Sequence, residues 1–215
     1  MALSKVDFNN INVTPAASKA LKWNSSANGF ETGDLSGNMV LLSTFTSDGS
    51  DDTADFTSGI DSTYKEYQFH FTDIHPETDQ KNFTFQVDTG TNTNYNQTIT
   101  SSFFYAYHNE GDSNAVLEYF AGADQAQGTG FQLLSEATGN VADECVCGIL
   151  HLFEPSSSTF LKHFMARTQA AEGTGHSGDS YAAGYINTTT AITRVRFKFV
   201  SGEIQSGTIK MYGIL

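Results

Sequence analysis

Cysteine is nearly missing from this sequence: the 215 residues hold two, Cys145 and Cys147, both in the stretch "ECVCGIL". A disulfide framework is therefore excluded, and a bridge between residues two apart on one strand would be badly strained. Such residues share a face, and free cysteine is usually buried, so both are expected to be small core side chains. No CxxC or CxxH spacing accompanies them, and no metal is assigned to them. Basic residues are also few, with 11 Lys and Arg against 24 Asp and Glu, a net charge of −13. Nucleic-acid binding by counterion release needs a basic surface, so no nucleic-acid partner is expected, and anionic membranes are disfavoured by the same sign. No apolar run approaches the ~18 residues of a membrane span, so no membrane insertion is expected. The opening "MALSKVDFNNINVTPAASKALKW" has no apolar core of signal-peptide type, which predicts synthesis in a cytoplasm without general secretory export. The sequons "NVT", "NSS", "NFT", "NQT" and "NTT" then read as polar turn and strand residues.

What is abundant is Phe, at 17, followed by 9 Tyr and 19 Gly, with only 3 Pro. Aromatic residues favour pleated, half-buried surfaces, and Gly, Asn, Asp and Ser mark the turns between them. Strand signals fall near 38–46, 63–74, 81–88, 101–108, 115–121, 143–153, 159–169, 179–187, 191–200 and 207–214. The clearest alternators place Tyr67, Phe69 and Phe71, then Phe83, Phe85 and Val87, then Val195, Phe197 and Phe199 on one face each. "CVCGILHLF" is apolar on both faces, as in a central strand covered on each side. No segment has a convincing helical period, and "FQLLSEATGNVAD" reads as a short helical turn or irregular loop. The pattern predicts an all-β, antiparallel β-sandwich of jelly-roll type over 37–215. Residues 1–36, rich in Asn, Ser, Ala and Gly with scattered Phe8, Ile11, Val13, Leu21, Trp23 and Phe30, predict an extended N-terminal arm for attachment or oligomerisation.

The search for chemistry finds little. His70, His151 and His163 lie within strand patterns, while "HPE" (His75, Glu77) and "HNE" (His108, Glu110) match the His-x-Glu half of a metal-dependent jelly-roll oxygenase. Both also read as turns after strands, and the sixth histidine, His176, lies in the Gly-rich stretch "GTGHSGDS". The acidic run with Asp48, Asp51, Asp52 and Asp55 lacks the ligand order of an EF-hand and reads as a solvated turn, with a weak Ca²⁺ site as the alternative. Nucleophile-elbow and phosphate-loop motifs are absent. No catalytic, cofactor-binding or metal-binding residue is assigned, and no enzyme activity is expected. Most Phe residues are expected in the core, with Tyr64, Tyr105, Tyr181 and Tyr185 as candidates for an outer face that stacks on sugars or a partner.

Four stretches, "SGIDSTYKEYQFHFTDIHPETDQKNFTFQV", "AYHNEGDS", "HLFEPSSSTFLKHFMA" and "AGYINTTTAITRVRFKFVSGEIQSGTIKMYGIL", together resemble virion structural proteins of tailed bacteriophages of marine bacteria, especially cyanophages. The resemblance spans about residues 58–215. It implies a capsid decoration (cement) protein or a fibre module on the particle surface, with no catalytic residue. The implied partners are copies of itself, as a homotrimer, and other virion proteins such as the major capsid or tail proteins. A carbohydrate- or receptor-binding sandwich that takes a host-surface glycan is the alternative, and a metal-dependent jelly-roll enzyme is the third reading.

Overall fold

The computed structural model describes residues 19–34 and 38–215. The chain divides into two compact units, residues 1–38 and 39–215. In the first, the described residues form an antiparallel hairpin, β1 (Lys19–Trp23) and β2 (Phe30–Asp34). The expected arm of residues 1–36 thus contains two strands that its composition did not signal, while Phe8, Ile11 and Val13 lie outside the described residues. The Asn24–Gly29 turn is closed by the Asn24 N–H donating to Gly29 O at 2.9 Å. Trp23 stacks on Phe30 at 4.4 Å between ring centroids.

The second unit is all-β. Its strands are β3 (Met39–Thr46), β4 (Ala54–Phe56), β5 (Glu66–Pro76), β6 (Lys81–Thr89), β7 (Ile99–Asn109), β8 (Ala115–Tyr119) and β9 (Ala126–Gly128). They continue as β10 (Gln132–Thr138), β11 (Val146–Phe153), β12 (Lys162–Glu172), β13 (His176–Ile186), β14 (Ile192–Phe199) and β15 (Ile204–Ile214). All pairings are antiparallel, and they sort the strands into two layers. One layer runs β3-β15-β5-β11 and the other β4-β14-β6-β10. Early strands pair with late ones, β3 with β15, β4 with β14, β5 with β11 and β6 with β10, so the chain is one long ribbon folded back and wound up. That is the jelly-roll winding.

Two insertions depart from the plain jelly roll. β7–β9 enters between β6 and β10, and β12–β13 between β11 and β14; they pair with each other through β13 and β7. Together they enlarge the first sheet to β3-β15-β5-β11-β12-β13-β7, with β8 and β9 on the far edge of β7. A single pairing, Thr138 with Glu172, links β10 to β12 across the corner.

The two layers meet through phenylalanines. Phe69 and Phe71 of β5 lie 5.2 and 5.1 Å from Phe197 of β14, and Phe164 of β12 meets Phe85 of β6 edge-on at 5.0 Å. The alternation that places Val195, Phe197 and Phe199 inward and Arg194, Arg196 and Lys198 outward holds in β14. The strand buried on both faces is β6, not β11. Thr84, Gln86 and Asp88 are as buried as Phe83, Phe85 and Val87, because the segments around 90–98 and 129–131 fold over that side. Gln86 Nε2 donates to the carbonyls of Gln97 (3.0 Å) and Gly130 (2.9 Å), and Asp88 accepts from the Tyr95 backbone N–H at 2.9 Å. In β11 only Val146, Leu150 and Leu152 are inward, and Cys147, Ile149, His151 and Phe153 are half-buried on the other face.

The stretch expected as a helical turn is strand β10. Register shifts between Leu133 and Ser135 and between Ser135 and Thr138 show two bulges, with Ala137 at φ 44°. Extra residues of this kind destroy the period of two that marks a strand. The three-residue strands β4 and β9 are too short to leave a periodic signal.

Candidate functional site

The inserted strands give the first sheet a broad outer face, and its side chains form rows set by the register. One row crosses seven strands: Lys210, His70, Ile149, Arg167, Tyr181, Phe104 and Tyr119 are successive cross-strand partners. Phe104 and Tyr181 stack in parallel, with centroids 4.8 Å apart and planes 5° apart. The Arg167 guanidinium lies 5.1 Å from the Tyr181 ring and forms a two-point pair with Asp179, at 3.0 and 2.8 Å. That pair holds the Asp179 carboxyl below its usual range and raises the Arg167 guanidinium. Further along the face stand Met165, 56% exposed, and Leu117, 74% exposed. A depression of 760 Å³ lies on this face between Cys147, Ile149, Met165, Arg167, Asp179 and Tyr181.

The rows combine large apolar side chains with the Arg167–Asp179 ion pair. Aromatic faces beside a guanidinium–carboxylate pair stack on a flat ligand or bury against another protein. Of the four tyrosines expected on an outer face, Tyr181 and Tyr185 are there. Tyr105 instead packs inward against Phe103 and Phe120, and Tyr64 meets Tyr67 edge-on at 5.8 Å over the core.

Among the described residues the histidines take part in no three-ligand group, though His70 and His151 are near neighbours on the outer face. His75 is buried with Nδ1 2.5 Å from Glu144 O, while Glu77 accepts from the Glu203 N–H. His108 Nε2 lies 3.1 Å from Asp112 Oδ1. His151 Nδ1 sits 2.6 Å from Glu66, His70 rests against the Tyr212 ring with burial lowering its pKa, His163 meets Tyr185, and His176 pairs with Thr174. The acidic run is dispersed as well: Asp51 caps the Asp48 N–H, and Asp55 binds Arg196 at two points, both 2.6 Å. Among the described residues the group of three ligand-bearing side chains within 4.8 Å of one another is Asp73, Cys145 and Cys147. The cysteines are not core residues: Val146 between them points inward, and both thiols lie half-buried on the opposite face beside the exposed Asp73.

A second carboxylate site was not legible from sequence. Glu136 and Glu172, with Tyr105 and His176, line a 250 Å³ cavity. Burial, then the neighbouring Glu136 charge, push Glu172 up to about 7, and burial raises Glu136 as well. Only the fold brings β7, β10 and β12 together here. No family profile, curated protein or solved structure matches this chain.

Proposed function

We propose that this chain is a non-enzymatic structural protein of a bacteriophage particle, a capsid decoration or fibre module that assembles with copies of itself through the outer face of its enlarged sheet. The observation that carries the reading is the open apolar face itself. Phe104, Leu117, Tyr119 and Met165 are all exposed on it, and a contiguous apolar face of this kind marks an interaction surface. Copies of a chain with net charge −13 repel one another, and on this face the Asp179 carboxylate is offset by Arg167. The hairpin adds a second contact element, with Leu21, Trp23 and Phe30 exposed on one side of it. A two-stranded hairpin is marginal alone, so these side chains suit an attachment arm that orders against a partner. The phage assignment rests on the sequence resemblance and is compatible with a jelly-roll body.

Light scattering after size exclusion tests the reading on the full-length chain. A trimer is expected, and a Met165→Asp/Leu117→Asp variant is expected to run as a folded monomer of 23.3 kDa. A monomeric parent protein overturns self-assembly through this face, and absence of the chain from purified particles overturns the virion assignment. The parallel Phe104–Tyr181 pair beside Arg167 and Asp179 favours a second reading, a glycan-binding face. Saturable glycan binding by a monomer, lost on Tyr181→Ala, would establish that reading instead.

A further inference from the structure

A β-bulge gathers three metal-ligating groups at one end of β11. Val146 pairs with Ile74 and Gly148 with Phe71, so Cys147 faces two residues of β5, Thr72 and Asp73. The extra residue turns Asp73 into the left-handed region, at φ 53°, and brings its carboxylate to the side of the two thiols. Bulges re-aim side chains in this way, and a left-handed non-glycine residue is held only where its surroundings enforce it. Here they do. Gly207 of β15, at φ 118°, packs so closely that an added Cβ would stand 2.5 Å from Asp73 O. The Ala171 N–H donates to Cys145 O at 3.0 Å, and the Asp73 N–H donates to Cys147 Sγ at 3.3 Å.

We propose that Asp73, Cys145 and Cys147 form a three-ligand site for a thiophilic divalent cation of the Zn²⁺ class, with solvent in the fourth position. Asp73 Oδ1 lies 3.6 Å from Cys147 Sγ and 3.9 Å from Cys145 Sγ. Zinc–sulfur and zinc–oxygen bonds of about 2.3 and 2.1 Å at the tetrahedral angle put sulfur and oxygen about 3.6 Å apart, so both sulfur–oxygen separations are already close to what the metal needs. Two sulfurs with one oxygen suit Zn²⁺ or Cd²⁺ rather than Ca²⁺, which takes oxygen alone, or an iron–sulfur cluster, which takes more thiolates. The N–H···S bond from Asp73 orients one sulfur, as groups behind a metal ligand commonly do. The exposed carboxylate leaves an entry path. Binding forms two metal–thiolate bonds and releases the two thiol protons to solvent. Both thiols must lose a proton to bind, so affinity rises with pH.

The test is independent of the assembly reading, because it counts ions per chain rather than chains per particle. Full-length protein kept reduced with a phosphine is titrated with CdCl₂, and the ultraviolet thiolate-to-cadmium band is followed. The expected result is saturation at one ion per chain, displacement by ZnCl₂, and two protons released per ion. Asp73→Asn, which tolerates the left-handed conformation and keeps the bulge, weakens binding at least tenfold. Cys145→Ser/Cys147→Ser abolishes the band and the thermal stabilisation by ZnCl₂. The proposal is overturned if no saturable band appears, if one ion bridges two chains, if Asp73→Asn binds as tightly as the parent, or if ZnCl₂ still stabilises the double serine variant.

Discussion

In β14 the inward positions are Val195, Phe197 and Phe199; in β13 they include Gly178, Ser180, Ala182 and Ile186, and the rings of Tyr181 and Tyr185 stand on the other side. Both strands belong to the same continuous ladder, yet they serve different packing problems. The eight-stranded body holds two layers apart at the thickness of interlocking phenylalanines. Along β12 and β13 the inserted part brings its sheet close to β10, close enough for Thr168 Oγ1 to donate to Leu134 O at 2.5 Å. Small inner residues permit that approach. The inserted part also carries Met165, Tyr181 and Phe104 on its open face. The body is built to close on itself and the insertion to present a surface.

If that contrast is right, the body fails by losing volume and the insertion by gaining it. The largest effect is expected at Phe197, whose ring lies within 6.3 Å of those of Phe56, Phe69, Phe71, Phe83 and Phe85. Phe197→Ala should cost about 3–5 kcal/mol, read as a shift of the urea midpoint. A loss below about 1 kcal/mol would mean the body is not held by this cluster. Next comes Ala182, buried opposite Ala166. Ala182→Leu should cost about 1–3 kcal/mol by overpacking. A neutral result there would show that the insertion has slack, and the contrast would lose its basis.

Glu172 sharpens the comparison from a different side, since it is a buried carboxylate at the corner where insertion and body meet. Its neighbours in the cavity are Glu136, Tyr105 and His176. Folding raises its pKa from 4.5 to about 7. The unfolded chain therefore ionises first, so the stability this group lends is complete below pH 4.5 and is lost as pH rises through about 7. Glu172→Gln should stabilise the protein at pH 8 by about 1–2 kcal/mol and change little at about pH 4. An equal gain at both pH values would assign the effect to shape rather than charge.

How much of this was legible beforehand follows the same division. The long alternating strands of the body, β5, β6 and β14, could be placed from Phe and Tyr periodicity alone, and the jelly-roll winding followed from their number and spacing. β10 could not, because its two bulges break the period. β11 misled for a related reason. Val146, Leu150 and Leu152 alternate with Cys147, Ile149, His151 and Phe153, so both faces look apolar and no local rule says which is inward. The choice is made by layers contributed by distant strands. The open face needed the pairing of two insertions, β7 with β13, and the Asp73–Cys145–Cys147 group needed a bulge between strands some 70 residues apart. Single residues carried the signal for burial; the sites depend on register.

The smallest effect is the most telling. Phe164 and Met165 are neighbours in β12, one at 1% exposure against Phe85 and the other at 56% on the outer face. Met165→Ala should leave monomer stability within about 0.5 kcal/mol of the parent, because no cavity forms and no polar group loses a partner. The same substitution should weaken self-association, since a long flexible side chain left more than half exposed is available to pack against another chain. Equilibrium sedimentation of Met165→Ala beside urea unfolding separates the two. A stability loss comparable to that of a core residue would show that Met165 already has a partner within its own chain. Unchanged stability with unchanged association would leave the outer face without a role in assembly. Unchanged stability with weakened association is what an insertion made to present a surface predicts.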